Sequence, residues 1–477
     1  MIYSNAVCEG FAAGPFTSVL MTGHGLKRNP PSVRPHVRVL GYIQIVRPVI
    51  LFAITGTLCA QLRPDPTDVL AHARDAVLER RQTLPNYTCS ESVDRKYFRP
   101  LIQQTVHSCD RASESDTPVG RGQLYLTDRL RLDVKVSHGT EIGSWAGASQ
   151  FDPRTIFDLV GKGPFGTGPF GPFLSDIFGG GASFEYDGVR QSGRTKSYEY
   201  SFRVPLSASH YSVEVGRDWR ALAYDGLIRV DPESFDVTYL LVRASQFPEE
   251  TETCEAVTTV DFGRVPMNTG EFPLAQQSRL HLIMSDGDEN EITTVYTACR
   301  EYHGEASVVF GDESAKITTQ QNGIEPPTKL IPPGLRFTLA LADTIDTETA
   351  AAGDVVVEKV RKAVRAHWSG DVFIPAGVTV RGRIIRMRHW LESPPRCEIA
   401  IRLETWETGG RSRPIYAKPA DEYRTPASGL RRRVPITLPP EGESAGVATI
   451  VRRASQDRYV PPGFESNWIT TTAPPNR

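Results

Sequence analysis

The chain is poor in the residues that usually announce a chemistry. Seven cysteines are spread over 477 residues, and no Cys-x-x-Cys or His-x-x-x-His spacing occurs, which argues against a structural zinc module. Neither charge sign dominates: the formal net charge is −2. A nucleic-acid-binding domain would be more basic and more clustered. Arg431, Arg432 and Arg433 form the only tight basic run, and they read as a solvated loop. The ten histidines are scattered. No apolar run approaches the roughly 20 residues a transmembrane helix needs.

Nor is a catalytic constellation complete. Gly442 to Gly446 (GESAG) matches the Gly-x-Ser-x-Gly elbow of carboxylesterases, which requires an acid and then a histidine downstream. The last histidine is His389, upstream of Ser444. Phe310 to Ser314 (FGDES) is a broken version of another hydrolase serine block. Adjacent pairs such as Glu249–Glu250 and Asp421–Glu422 point apart on a strand. His281 alternates within a strand and reads as a structural residue. These patterns predict no metal, no cofactor and no enzyme.

What is present is first an address. Residues 48–60 (PVILFAITGTLCA) are mostly apolar and follow Lys27, Arg28, Arg34, Arg38 and Arg47. A basic lead, a short apolar core and a small-residue exit are the parts of a secretory signal. Cleavage is expected near Ala60, so residues 1–60 form a signal region and the mature protein works outside the cytoplasm. The lead is longer than a signal needs, which predicts a translation start at Met21 or at a valine near Val37 or Val39. An uncleaved anchor is the alternative.

The mature chain is long enough for two or three domains. Residues 61–321 carry 26 Lys+Arg against 38 Asp+Glu, and residues 322–477 carry 23 against 17. This contrast supports a boundary near 320, with domains over 62–318 and 329–470 joined by a linker at 319–328 (TQQNGIEPPT), and lets the two parts attract each other. Five cysteines remain: Cys89, Cys109, Cys254, Cys299 and Cys397. In an oxidising compartment they can pair. Closeness along the chain suggests Cys89–Cys109 and Cys254–Cys299, one of three connectivities open to four cysteines; Cys397 is expected to pack as a small apolar side chain.

The patterning is mainly β, in an α+β arrangement. Asp65-Pro66 caps a helix to about Arg81 with Val69, Leu70, Ala73, Val77 and Leu78 on one stripe. Residues 123–136 read as a strand pair around a turn. A second helix starts at Asp152-Pro153 and stops at Gly161. Residues 161–173 repeat Gly-Pro-Phe three times: either a lid or plug over an apolar cavity, or a surface loop whose aromatics fold back onto the core. A short helix spans 173–178. From Ala182 to Val309 alternating runs predict antiparallel sheet, with hairpin turns at Asp231 to Ser234 and Ser285 to Asn290.

Helices followed by a long antiparallel sheet, with the strand–Asp-Pro-Glu–strand hairpin at Ile228 to Ser234, resemble the half-barrel of periplasmic lipoprotein carriers and their outer-membrane lipoprotein-sorting relatives, over residues 62–315. The resemblance implies a curved sheet wrapped around helices, with a lipid or lipoprotein acyl chain shielded in its concave face. The residues expected to line that cavity are Trp145, Phe157, Phe165, Phe170 and Phe173. Farther on, Ile331-Pro-Pro-Gly334 is echoed by Ile374-Pro-Ala-Gly377, each ahead of an alternating strand, and Val380, Gly382 and Ile384 mark the second strand. Two strand-rich halves suggest a small closed β-barrel. Residues 328–418 resemble the β-barrel of channel-forming proteins of conjugation and type IV secretion, which implies contact with an envelope protein. Residues 446–451 and 463–469 are expected as added edge strands.

Three functions are compatible with this reading. The first is a non-enzymatic envelope protein binding an apolar ligand or lipidated partner. The second is a scaffold whose half-barrel is filled by its own side chains. The third is an extracytoplasmic hydrolase assembled from distant residues.

Overall fold

The computed structural model describes residues 64–100, 109, 122–137, 140–148, 151, 170–193, 195–215, 218–302, 331–365, 372–408, 410–420, 447–453 and 458–472. The signal region, the 152–161 helix, the 319–328 linker and the 442–446 motif lie outside the described residues.

The first described element is α1 (Pro66–Thr83). The Asp65 carboxylate accepts from the Thr67 amide at 2.8 Å, satisfying one of the free N–H groups of the first turn. Strands β1 (Tyr87–Arg99), β2 (Gln123–Ser137) and β3 (Thr140–Trp145) follow, then α2 (Phe170–Gly179). Next come β4 (Ser183–Ser192), β5 (Thr195–Val204), β6 (Ser212–Val215), β7 (Asp218–Ala221), β8 (Tyr224–Val230) and β9 (Val237–Ala244). Three long strands end this region: β10 (Thr253–Met267), β11 (Gly270–Met284) and β12 (Glu289–Glu301).

These strands make a large antiparallel open sheet. One part runs β4-β5-β8-β9; the other runs β10-β11-β12-β1-β2, with β3 on β2. β9 lies alongside β10, so the two parts form one half-barrel wall. The stripe Val69, Ala73 and Val77 of α1 packs into the same core as Val93, Leu130 and Leu132 of the sheet and Leu174, Ile177 and Phe178 of α2.

The C-terminal region comprises β13 (Arg336–Leu341), β14 (Ile345–Asp346), β15 (Val355–Val360), β16 (Val364–Arg365), β17 (Val372–Ile374) and β18 (Thr379–Trp390). It continues with β19 (Arg396–Thr408), β20 (Arg411–Pro414), β21 (Ala417–Pro419), β22 (Val447–Arg453), β23 (Tyr459–Val460) and β24 (Glu465–Thr470). Ladders run β19-β18-β15-β13-β24-β21, and β20 pairs with β19. Residues 411–419 therefore touch β19 at one end and β24 at the other. The Ile415 amide donates to Glu404 O (3.1 Å) and the Thr471 amide to Tyr416 O (2.8 Å), which closes the ring. Phe337, Leu339, Val360, Val380, Trp406 and Trp468 fill it. The two Ile-Pro-x-Gly turns each place glycine at positive φ, Gly334 at 90° and Gly377 at 81°, where an L side chain is strained.

The two regions share a sheet. β2 gives residues 132–137 to β3 and residues 126–128 to β18, in the register Asp128↔Arg388, Thr127↔His389 and Leu126↔Trp390. Arg131 pairs with Asp354, and Arg99 Nη1 donates to Glu392 at 2.6 Å. These contacts set N-terminal cations on C-terminal anions, the reverse of what the regional charge balance suggests.

Three expectations are corrected. Residues 123–136 form one strand, because Asp128, which reads as a turn residue, is held inside the sheet by Arg95 at 2.6 and 2.7 Å. Residues 465–470 are not an edge: β24 lies between β13 and β21, and its Trp468 is buried. The disulfides are Cys89–Cys299 and Cys109–Cys254, not the neighbour pairs. β1 runs beside β12 with Thr88 opposite Arg300 and Ser90 opposite Thr297, which brings Cys89 to Cys299. Strand pairing, not closeness along the chain, sets the bridge. Cys397 is buried and belongs to neither disulfide.

Candidate functional site

Every second residue of β1 from Tyr87 to Arg95 faces inward and is buried. This face is a transverse grid. Tyr296, Glu91, Leu132 and Trp145 form one row across β12, β1, β2 and β3. Ser278, Thr294, Val93 and Leu130 form the next. Leu280, Ile292, Arg95 and Asp128 form a third, with Thr258 of β10 opposite Leu280.

Toward β4–β9 the lining becomes aromatic. Tyr198 and Tyr200 of β5 anchor the start of α1 by donating to the Pro64 and Pro66 carbonyls at 3.0 and 2.7 Å. Phe173 of α2 meets Tyr211 and Tyr224 edge-on, at 6.0 and 5.6 Å between centroids, and Phe178 stacks on Phe184 at 5.5 Å. Such aromatic pairs contribute about 0.5–1.5 kcal/mol beyond their buried area.

The structure brings two of the sequence-predicted cavity residues into one apolar cluster. Trp145 is a buried member and Phe173 packs against it from α2. Phe170 opens α2, and its side chain lies outside the description, as do Phe157 and Phe165. The cluster is closely filled: Trp145, Ile177 and Phe178 are 5%, 1% and 3% exposed.

The polar part of the face is absent from the sequence-based site. Glu91 is 1% exposed. Burial pushes its carboxyl well up, and the nearby Glu141 carboxylate pushes the same way, both favouring the neutral acid. Arg95 and Asp128 form a buried bidentate pair. Burial opposes the Arg95 charge, but Asp128 outweighs it and the guanidinium is shifted up. Tyr296, also shifted up by burial and then by Glu91, has its hydroxyl beside Ser278. Period two in Tyr87 to Arg95 carries this signal, since Glu91 and Arg95 share parity with Cys89 and Val93.

Elsewhere, a cleft of about 230 Å³ at the junction is lined by Arg131, Asp346, Thr349, Asp354, Val356 and Ile384 among others. Of its charged lining residues, Arg131 pairs with Asp354, and Asp346 pairs with Arg458 at 2.6 Å. His281 contacts Glu289 through Nε2 at 2.8 Å. Among the described residues no group of three His, Cys, Asp or Glu could hold a metal, and no helix is long and apolar enough to cross a membrane.

No protein-family model matches the chain, and no curated protein matches it. Solved structures similar to it include a DUF1329 family protein from Desulfovibrio piger, at 10% identity over 51% of this chain and 97% of that chain, with a TM-score of 0.25. A putative outer membrane lipoprotein-sorting protein domain from Vibrio parahaemolyticus is 10% identical over 50% of this chain and 93% of that one, with a TM-score of 0.25. The Mycobacterium tuberculosis lipoprotein LppX is 8% identical over 50% and 99%, with a TM-score of 0.19. None of these three is a conjugation or type IV secretion channel protein.

Proposed function

We propose that this is an exported, non-enzymatic protein of the cell envelope whose half-barrel takes an apolar ligand or a lipidated partner on its inner face. The observation that carries the reading is the cover of that face. A broad antiparallel wall is roofed by α1 and by the ten-residue α2, whose Leu174, Ile177 and Phe178 sit on an aromatic floor. Full burial of such side chains contributes about 1.5–3 kcal/mol each, and hydrocarbon from a ligand offers the same term in their place. Gly179 ends α2, and Gly180 and Gly181 follow it directly, Gly181 at a positive φ of 96°. The two disulfides fit folding in an oxidising compartment, in line with a signal cleaved near Ala60. In this reading the C-terminal barrel makes contacts to an envelope protein.

Native mass spectrometry of gently purified protein tests this. Adducts of lipid mass that disappear on organic extraction are expected, and their reproducible absence overturns the ligand-binding reading. A scaffold is the second reading, favoured by the filled cluster around Trp145, Ile177 and Phe178. It predicts that the extracted protein neither loses mass nor changes stability.

A further inference from the structure

The inner face of the half-barrel is not uniformly apolar. One apolar cluster gathers Val93, Leu130, Leu132 and Trp145 with the helices; a second gathers Tyr87, Cys89, Val134 and Val136. Between and beside them lie buried polar atoms without a hydrogen-bond partner among the described residues: both carboxyl oxygens of Glu91, Nη1 of Arg95, and the hydroxyls of Thr258 and Thr294. All four residues are buried. Thr294 faces Val93, one ladder step from the Glu91 row on one side and the Arg95 row on the other. Thr258 lies three strands from Arg95, about 14 Å at ordinary strand spacing. The unmatched atoms thus lie on β1, β12 and β10 of one face, closest together at Glu91, Thr294 and Arg95, with Leu280 and Ile292 between Arg95 and Thr258.

Each such group raises the free energy of the folded state relative to a satisfied one, and four on one face call for a common partner. We infer that this band receives the head of an uncharged amphiphile, an acyl ester of a polyol such as a monoacylglycerol, while the apolar clusters hold its chain. The inference rests on the half-barrel being the binding site.

Charge selects the class. Asp128 cancels Arg95 through two hydrogen bonds, and Glu91, facing Tyr296 with Tyr87 and Glu141 nearby, is pushed toward the neutral acid. The band therefore has no unpaired cation to balance a phosphate, and burying an unbalanced charge is far costlier than burying a paired one. A neutral Glu91 donates one O–H and retains acceptor capacity. Arg95 Nη1 offers N–H groups, and each threonine offers a hydroxyl. Ester carbonyls and polyol hydroxyls match that mixture. A bare hydrocarbon would leave it unmatched.

The test is native mass spectrometry of the full chain titrated with 1-monooleoylglycerol, oleoyl lysophosphatidylglycerol, oleylamine and octadecane. Monooleoylglycerol is expected to bind at least about tenfold tighter than the charged lipids and the hydrocarbon. Glu91→Leu should weaken it about tenfold or more, whereas Glu91→Gln, which still donates, should stay near wild type. Thr294→Val, close to isosteric, should weaken it by a smaller factor and guards against a folding defect at Glu91. Equal binding by Glu91→Leu and Thr294→Val overturns the head-group assignment and leaves the carrier reading standing. So does tighter binding of a charged lipid or of octadecane. Failure of all four probes overturns both.

Discussion

Inside the C-terminal barrel, the Ser466 hydroxyl donates to the Glu358 carboxylate at 2.9 Å, and the Trp468 indole N–H donates to Ser466 at 2.8 Å. Glu358 is 3% exposed, and its other oxygen has no partner among the described residues. Burial outweighs the Ser466 bond and pushes its carboxyl up to about 7.

A pH dependence follows. A carboxyl raised in the folded state binds its proton there more tightly than in the unfolded chain. Its contribution to stability is full below the unfolded value near 4.5, declines as pH rises, and is gone above about 7. The loss is on the order of 3 kcal/mol. Urea unfolding at pH 4.5 and pH 8, followed by tryptophan fluorescence, should show a smaller difference in Glu358→Gln than in wild type. Equal slopes would contradict the buried carboxyl.

The disulfide pattern is checked by non-reducing peptide mapping. Linked peptides should contain Cys89 with Cys299 and Cys109 with Cys254. Replacing Cys89 and Cys299 together by alanine should lower stability by about 2–5 kcal/mol, since the bridge closes a loop with a sequence separation of 210. A linked Cys89–Cys109 peptide would overturn the register of β1 against β12.

Arg383 joins the two regions. Its Nη1 donates to Ala146 O at 2.6 Å and to Gly353 O at 2.7 Å, and its Nε to Glu404 at 2.8 Å. Arg383→Met leaves those acceptors unmatched and should lose about 3–5 kcal/mol. Calorimetry should then show two separated transitions where the wild type shows more cooperative melting. An unshifted profile would remove Arg383 from the junction.

Gly353 has φ 107°, and a Cβ there would overlap the Arg131 carbonyl oxygen and lie 3.3 Å from Cε3 of Trp145. Gly353→Ala should therefore lose roughly 2–4 kcal/mol. Easier cleavage between the regions in limited proteolysis is the matching readout; wild-type resistance would speak against the close approach.

Much of this fold is legible in the sequence because its signals are local. The Asp65-Pro66 cap, the Asp231 and Asp286 turns and the alternation of β5, β9 and β11 all depend on residues a few positions apart. What is not legible is partnership. Nothing near Tyr87 says that β1 will lie beside β12, and the disulfides follow from that. Nothing near Asp128 says that Arg95 will hold it within a strand. The apolar half of the candidate face is foreshadowed by Trp145 and Phe173, whereas Glu91 is hidden by the habit of assigning a strand glutamate to solvent. Its alternation with Cys89 and Val93 places it inward.

The bridge between β1 and β12 also bears on the order in which the molecule can be made. A chain delivered N-terminus first presents Cys89 and Cys109 together, long before Cys254 and Cys299 arrive. Oxidation in order of arrival joins the first two and leaves the last two for each other, which is the wrong pattern. Reaching the native one means that an early bridge is opened by a later thiolate through mixed-disulfide exchange. If the chain is oxidised in order of arrival, its yield in the cell should track disulfide isomerase more than disulfide oxidase.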